Sequence, residues 1–569
     1  MPRPPNTPFL ALVLVVGWAA PLVAADQAPV IGDLRKTGTV PIATSCATAA
    51  QEGMAQATAL LHSFFYDEAR RVYEDAAKRD PKCAMAQWGI AMTYWHPLWT
   101  PPSPEEMKAG REAIAKAQAQ GGKTALERGY IAALAGFYGA TATPPGAPSG
   151  EVGLSCHGTT GGGDHPARAA AYEKAMEQLH AQHPNDVDAA TFHALSLLAS
   201  ASPTDKTLKN QARATQILEP LWAKNPRHPG IVHYMIHGYD FPPVAEKGLA
   251  AAKAYADIAP WVPHALHMPA HIFTRLGMWN EVIASNLASA DASRQYAARA
   301  HPDATSFEEL HALDYMVYGY LQTGQDAKAK AVVDQIRAVR KTNPEVDFAA
   351  SYAMGAVPAR YALERRQWAD AAALLDPPLP TWMKLPLGAG HLAFARALGA
   401  ARAGRVEDAR RAIAQLEQVA AVLTEPRQQY FGKQAAMQVG VVKGWLAEAE
   451  GRSAEAEKLL REAADSDDLL GKHPVSPGTL LPSRELLADF LLAKGRSKEA
   501  LAEYQACLKV NPRRFNTVSG AARAAEAAGD VESARRYYAD LLAIVAPDAT
   551  RPEIAHARAY LAGERRAAR

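Results

Sequence analysis

Cysteine is scarce in this chain: four occur in 569 residues, and none forms a CxxC or CxxCH motif. This excludes a thioredoxin-type redox motif and a c-type haem attachment site. A surplus of charge is also lacking, because the formal net charge is only +2. Without a strongly basic surface, we expect no nucleic-acid partner. The composition, 48% hydrophobic and 21% charged, is typical of a folded protein.

Long apolar runs are missing beyond the N-terminal segment. Arg3 is the only charge before Asp26, an apolar run covers 9–20, and Val23-Ala24-Ala25 fits a small-x-small cleavage site. We therefore interpret residues 1–25 as a signal peptide; an uncleaved anchor is the alternative, but the run is short for a span. The sequence predicts an exported protein, periplasmic or secreted, without a transmembrane segment after cleavage.

Common catalytic motifs are absent as well. The segment His233-Tyr-Met-Ile-His237 has tyrosine where the HExxH metalloprotease motif requires glutamate. The GTTGGG run after His157 lacks the Lys-Ser/Thr of a phosphate-binding loop, and no GxSxG nucleophile elbow occurs. No segment alternates apolar and polar residues well enough to predict a sheet.

What the chain has instead is an internal period of 34 residues. Ala488, Gly495, Ala500 and Tyr504 recur 34 positions later as alanine, glycine, alanine and tyrosine. Near the other end, Ala57, Ala69, Tyr73, Ala76 and Pro81 follow the same spacing. This pattern resembles the tetratricopeptide repeat family. The resemblance implies an all-α fold: a right-handed α-solenoid of about a dozen helical hairpins, each packing only on its neighbours.

We expect the solenoid to have two parts, of which the N-terminal one carries the candidate functional groove. Residues 46–345 form an N-terminal part with a histidine-lined groove, and 346–547 form a C-terminal part. Residues 548–569 are expected to be a C-terminal helix or tail. The Gly/Pro-rich segment 139–166 reads as a flexible insertion within one hairpin.

Histidines concentrate in one window of the N-terminal part. Seven of the 18 lie between His233 and His311, roughly a seventh of the chain. His233 and His237 are four apart, as are His267 and His271, so each pair shares a helix face. In the tetratricopeptide pattern both pairs occupy groove-facing places on consecutive first helices. Pro269, inside the second pair, should kink or restart its helix.

This placement supports three interpretations. The histidines could bind a transition metal, zinc or copper in particular; they could form a polar lining bonded to Tyr234, Asp240, Tyr318 and solvent; or they could be purely structural. The candidate metal ligands are His233, His237, His264, His267, His271, His311 and Asp314. The further candidates for the ligand-binding groove are His62, His96, Tyr234 and Tyr318.

The HYMIH…PHALHMPAHIFTRLGMW…LHALDY combination also resembles a group of exported bacterial tetratricopeptide proteins of unsettled function, over about 46–330. We therefore expect a binding or scaffold protein that holds a protein, peptide or small polar ligand in its groove, with or without a metal. The alternative is a metal-dependent enzyme with an open coordination position. Cys46 and Cys83 precede the first two units at equivalent ends, which predicts a disulfide.

Overall fold

A computed structural model describes residues 32–98, 101–139, 165–202, 205–423, 429–473 and 475–567. The expected signal peptide and most of the 139–166 insertion lie outside these residues. The α-helices are α1 (Thr48–His62), α2 (Tyr66–Arg79), α3 (Ala84–Met92), α4 (Pro104–Gln120), α5 (Ala125–Gly139), α6 (His165–Gln182), α7 (Val187–Ala199), α8 (Lys209–Lys224), α9 (Pro229–Tyr239), α10 (Leu249–Ile258), α11 (Pro263–His267), α12 (Pro269–Arg275), α13 (Trp279–Ala300), α14 (Phe307–Gln322), α15 (Asp326–Ala338), α16 (Phe348–Glu364), α17 (Trp368–Ala372), α18 (Pro386–Arg402), α19 (Val406–Val422), α20 (Gln429–Ala449), α21 (Ser453–Leu470), α22 (Ser483–Ala493), α23 (Ser497–Val510), α24 (Phe515–Ala527), α25 (Val531–Ile544) and α26 (Pro552–Ala567).

Consecutive helices pack in pairs, which confirms the predicted all-α solenoid of tetratricopeptide-type hairpins. Along the described residues there are twelve such hairpins, the sixth formed by α11 and α12 against α13, and α26 follows the last one. The insertion falls between α5 and α6, the two helices of one hairpin. Within the described residues, no helix combines the length and apolar character that crossing a membrane requires.

The repeat spacing has a direct packing cause. A Cβ built on Gly89 would lie 2.3 Å from the ring of Tyr73, and one on Gly520 would lie 2.4 Å from that of Tyr504. Each tyrosine therefore packs against the backbone of the next unit's first helix, at a place where a larger side chain would clash. These two contacts stand at equivalent positions near opposite ends of the chain.

One local feature differs from the sequence expectation, and a second agrees with it. A two-residue parallel ladder joins β1 (Thr305–Ser306) to β2 (Thr342–Asn343), although no strand was predicted. The helix containing Pro269 does restart, with α12 beginning at the proline, but Met268 keeps helical angles of φ −53° and ψ −35°. The change of direction is therefore small, and His267 and His271 remain on one face.

The solenoid also closes on itself, which nearest-neighbour packing did not predict. Trp279 Nε1 donates to the carbonyl of Arg513 at 2.7 Å, and Arg514 pairs with Glu364 at 2.6 Å. Residues 475–481, here called the covering segment, lie against the first helices of the middle units. Tyr315 donates to the Val475 carbonyl at 2.9 Å, and Arg360 donates to the carbonyls of Gly478 and Thr479 at 3.0 Å each.

Candidate metal centre

The histidine window is built by four consecutive first-helix segments. α9 carries His233 and His237, α11 carries His264 and His267, α12 carries His271, and α14 carries His311. Pro229 at the first position of α9 and Pro263 at that of α11 suit helix starts, since their missing N–H groups would have no intrahelical partner there. His237 is half-buried and the other five histidines are buried.

Three of these side chains form the first histidine group: His233, His237 and His264. The Nε2 atom of His233 lies 3.1 Å from that of His264 and 3.1 Å from that of His237. One candidate ligand atom from each ring lies within 4.8 Å of the others. The ring of Phe64 closes this group from the α1 side, at 4.5 Å from the His233 ring centre.

The second histidine group consists of His267, His271 and His311. His267 Nε2 lies 3.0 Å from His271 Nε2, and the rings of His267 and His311 are 4.4 Å apart. Their ligand atoms also lie within 4.8 Å of one another. The two groups are adjacent, because the ring centres of His264 and His267 are 6.3 Å apart.

The outward-facing nitrogens of three rings have acceptors. His233 Nδ1 donates to the carbonyl of His62 at 2.6 Å, and His271 Nδ1 donates to the Asp240 carboxylate at 2.9 Å. His267 Nδ1 lies 2.6 Å from Asn286 Oδ1. The Asn286 amide nitrogen donates to the Val282 carbonyl, so its oxygen is the atom that faces His267.

These acceptors fix where the hydrogens are. A neutral imidazole whose Nδ1 carries the hydrogen presents a lone pair at Nε2. His267 and His271 are both in this state, so their Nε2 lone pairs face each other at 3.0 Å. Burial lowers the pKa of His267 to about 3, so its Nε2 stays unprotonated near neutral pH. A metal cation bound by both Nε2 atoms would relieve the contact between the lone pairs.

Six of the predicted metal ligands thus fall into two groups of three, a division that the sequence spacing did not reveal. The helical pairs do not make a single four-ligand set; each pair gains a third histidine instead, His264 for the first and His311 for the second. Asp314, by contrast, faces Arg360, with Oδ1 3.8 Å from Nε. Burial raises the Asp314 pKa to about 6. The carboxylate that orients a ring is Asp240, which the sequence suggested only as part of a polar lining.

Two of the predicted groove residues, His62 and Tyr234, are buried in the interior. His62 is fully buried and bonds Tyr234 through Nδ1 at 2.9 Å and Asp188 through Nε2 at 3.0 Å. His228 joins the same Asp188 oxygen at 3.2 Å, while its Nδ1 accepts from the Ile231 N–H. All four ring nitrogens therefore have protein partners, so this cluster needs no ion. Burial lowers the pKa of His62 to about 4.

The other groove candidates have separate surroundings. Tyr318 is buried, accepts from Arg514 at 3.1 Å and lies under the guanidinium of Arg360. His96 is half-buried, packs on Tyr66 with ring centres 4.5 Å apart, and lines a cavity. The covering segment lies beside Tyr318, because the Arg360 guanidinium over the Tyr318 ring donates to the Gly478 carbonyl.

Cys46 and Cys83 are joined by a disulfide, with Cα atoms 4.8 Å apart. The bond links the approach to α1 with the start of α3, where Cys83 is the N-cap residue. The remaining cysteine of the described residues, Cys507, is buried and free.

A cavity of about 480 Å³ adjoins the first histidine group. Its lining includes His237, Asp240 and Arg275 from the histidine window and Lys472 and His473 from the connection after α21. Asp240 also pairs with Arg275 at 2.9 Å, so the carboxylate that holds His271 forms part of the cavity wall. Sequence reasoning missed Asn286 and His473, which lie in a second helix and in a distant connection and show no motif with the histidine window.

No family model matches the chain, and no curated protein matches it in sequence. Among solved structures, it is similar to the APC/C hetero-tetramer Cut9–Hcn1 (12% identity, 90% of this chain, 89% of that chain, TM-score 0.29). It is also similar to yeast Tom70 (12%, 91%, 96%, 0.30) and to Naa15/Naa10 bound to HypK-THB (12%, 91%, 74%, 0.22). TM-scores this low carry no argument, and the fold assignment rests on the hairpins themselves.

Proposed function

We propose that the two histidine groups each bind one transition-metal ion, zinc or copper, and that this centre acts on a small molecule in the adjoining cavity. The observation that carries this proposal is the 3.0 Å approach of two imidazole Nε2 atoms whose Nδ1 hydrogens are already engaged. Hydrogen bonding between neutral rings does not account for it, whereas a shared cation does.

The distances suit such ions. Two imidazole nitrogens bound to one tetrahedral zinc at about 2.0–2.1 Å each are roughly 3.3 Å apart. The closest Nε2 pairs of the two groups lie at 3.0–3.1 Å. The hydrogen bonds to the His62 carbonyl, Asp240 and Asn286 are the outer interactions that orient metal-binding imidazoles and raise their basicity.

The donor set favours chemistry over a purely structural role. Neutral imidazoles suit zinc, copper, iron and nickel. Structural zinc sites use four protein ligands, whereas three histidines leave a position for water or substrate. When bound, the ion would polarise a ligand or activate water in that position. His237 lines the cavity, so a small molecule can reach the first group.

Protein or peptide binding is a separate matter. Solenoids of this type offer extended concave surfaces to partners. In this chain the covering segment fills the concave side at the histidines, with Val475 and Leu480 each 1% exposed. A partner would therefore dock elsewhere on the solenoid, and we place the function of the histidines in small-molecule chemistry.

We also propose that the protein is exported, as the N-terminal segment and the resemblance to exported bacterial tetratricopeptide proteins suggest. The Cys46–Cys83 disulfide supports this, because such bonds persist in oxidising compartments.

The test removes one group at a time from untagged protein. The double variants His233→Ala/His237→Ala and His267→Ala/His271→Ala should each keep one ion and lose the other, since two ligands are too many for water to replace. The control His183→Ala/His556→Ala removes two histidines outside both groups and should keep both ions. Metal content is measured by mass spectrometry and helix content by circular dichroism. Full metal retention in both double variants would contradict the proposal.

A further inference from the structure

The cavity beside the first histidine group contains polar atoms that the protein leaves without partners. His473 is 1% exposed, and its Nδ1 accepts from the Val475 N–H at 3.2 Å. Since Nδ1 is therefore the lone-pair nitrogen, Nε2 carries the hydrogen. Among the described residues this Nε2 has no hydrogen-bond partner, and neither has the buried ammonium of the neighbouring Lys472. Both residues line the cavity.

Burying an ammonium group without a partner is energetically costly. Because a second unpaired donor lines the same cavity, the two donors together indicate a missing acceptor. Two unpaired donors in one cavity wall, one of them cationic, can both donate to a carboxylate, which offers two acceptor oxygens. A ligand that supplies acceptors would remove the cost.

The other lysine, arginine and aspartate side chains of the wall have hydrogen-bond or ion-pair partners in the protein. Arg275 is held by Asp240 at 2.9 Å. Asp468 is paired with Arg484, and Lys206 donates to the Leu470 carbonyl at 2.8 Å. Asp205 accepts from the N–H of Thr207 at 2.9 Å. Lys472 is the charged group of this wall whose buried charged atom has no protein partner among the described residues.

The rest of the wall is largely apolar. Leu98, Leu198 and Phe241 contribute hydrocarbon surface, and Trp95 closes one side. The volume of about 480 Å³ lies in the range of small-molecule sites. The cavity therefore offers a cationic end and an apolar body.

We propose that this cavity binds a small organic acid, with its carboxylate on Lys472 Nζ and His473 Nε2 and its apolar part against Leu98, Leu198 and Phe241. This inference deepens the proposed function and rests on it only for the chemistry that follows binding. Because His237 is in the same wall, the bound acid lies beside the first histidine group. The substrate class of the centre is then an apolar carboxylate.

The experiment uses phenylacetate and its uncharged counterpart phenylacetamide, titrated calorimetrically into untagged protein. Both the metal-free and the zinc-loaded forms are measured. We expect phenylacetate to bind the metal-free form, and phenylacetamide to bind about tenfold or more weakly, because it lacks the charge-assisted bond. Lys472→Met should weaken phenylacetate binding by a similar factor, and Lys472→Arg should restore most of it.

His473→Phe should weaken phenylacetate binding less, since it removes a neutral donor. Lys330→Met, at an exposed lysine paired with Asp334, is the control and should change nothing. If phenylacetate does not bind to either form, or binds equally well to Lys472→Met, the inference is overturned. If metal uptake fails but Lys472-dependent binding of phenylacetate remains, the inference holds and the proposed metal function falls.

Discussion

At the scale of single side chains, the acceptors behind the imidazoles determine what the rings can do. His62 offers a backbone carbonyl, Asn286 an amide oxygen and Asp240 a carboxylate. Only Asp240 is charged, and it also holds Arg275. It serves the second histidine group through its hydrogen bond to His271.

Replacing Asp240 by asparagine should therefore weaken one ion selectively. We expect the affinity of the second group to fall about 10–100-fold, the usual effect of losing an outer-shell partner, while the first group changes little. Competition titrations with a chromophoric chelator measure the two affinities. Asp314→Asn, at an equally buried carboxylate that faces Arg360, should leave both affinities intact. Equal weakening of both groups by Asp240→Asn would indicate general destabilisation instead.

The buried histidines outside the two groups predict a pH effect on the metal-free protein. Burial, assisted by Arg360, lowers the pKa of His391 from 6.5 to about 3. Below pH 6.5 His391 is protonated in the unfolded chain but stays neutral in the folded chain. The free energy of unfolding therefore decreases as the pH falls from about 6.5 toward 3. The loss is up to about 1.4 kcal/mol per pH unit for this group.

Urea unfolding at pH 7.5 and pH 5 measures the effect. His391→Leu should flatten the pH dependence by about the contribution of one group. An unchanged slope in that variant would mean that His391 ionises as readily in the folded chain as in the unfolded chain.

At the scale of elements, the sequence predicted the hairpins and the register of their first helices, because alanine, glycine and tyrosine spacing reports close helix packing directly. It placed His233, His237, His267 and His271 on neighbouring helices for the same reason. It named His264 and His311 as candidate ligands but did not assign one to each pair, since ring orientation depends on acceptors such as Asn286 in α13. Nor could local spacing reveal the covering segment, which contacts helices over a hundred residues away.

Arg514 is the clearest test of this long-range closure. It lies just before α24, is fully buried, and bonds Glu364 of α16 and Glu485 of α22. Glu485 keeps Arg366 as a second partner, whereas Glu364 pairs with no other cation among the described residues. Arg514→Met should lower the free energy of unfolding by about 3–5 kcal/mol, because it leaves the buried carboxylate of Glu364 without its cation.

Denaturant unfolding of the variant checks this value. Arg452→Met, at an arginine paired with glutamates on the surface, should lower the free energy of unfolding far less, because solvent screens exposed ion pairs. A similar small loss for both variants would show that the C-terminal units do not stabilise the middle of the solenoid.

At the scale of the whole molecule, a solenoid usually presents its concave side to partners. In this one the covering segment of the C-terminal half lies over the concave side at the histidines. The six imidazoles of the two histidine groups are thereby enclosed, with a cavity beside them. The arrangement converts a surface expected for protein binding into an enclosed site. The account therefore depends on whether metal ions occupy that interior.

The most direct test is the metal content of the full-length protein, produced without a histidine tag and purified without chelators. After incubation with zinc or copper and desalting, mass spectrometry should find two ions per chain, as expected for two three-histidine sites. Metal at well below one ion per chain under both conditions would contradict the account, because the facing Nε2 lone pairs would then need another explanation.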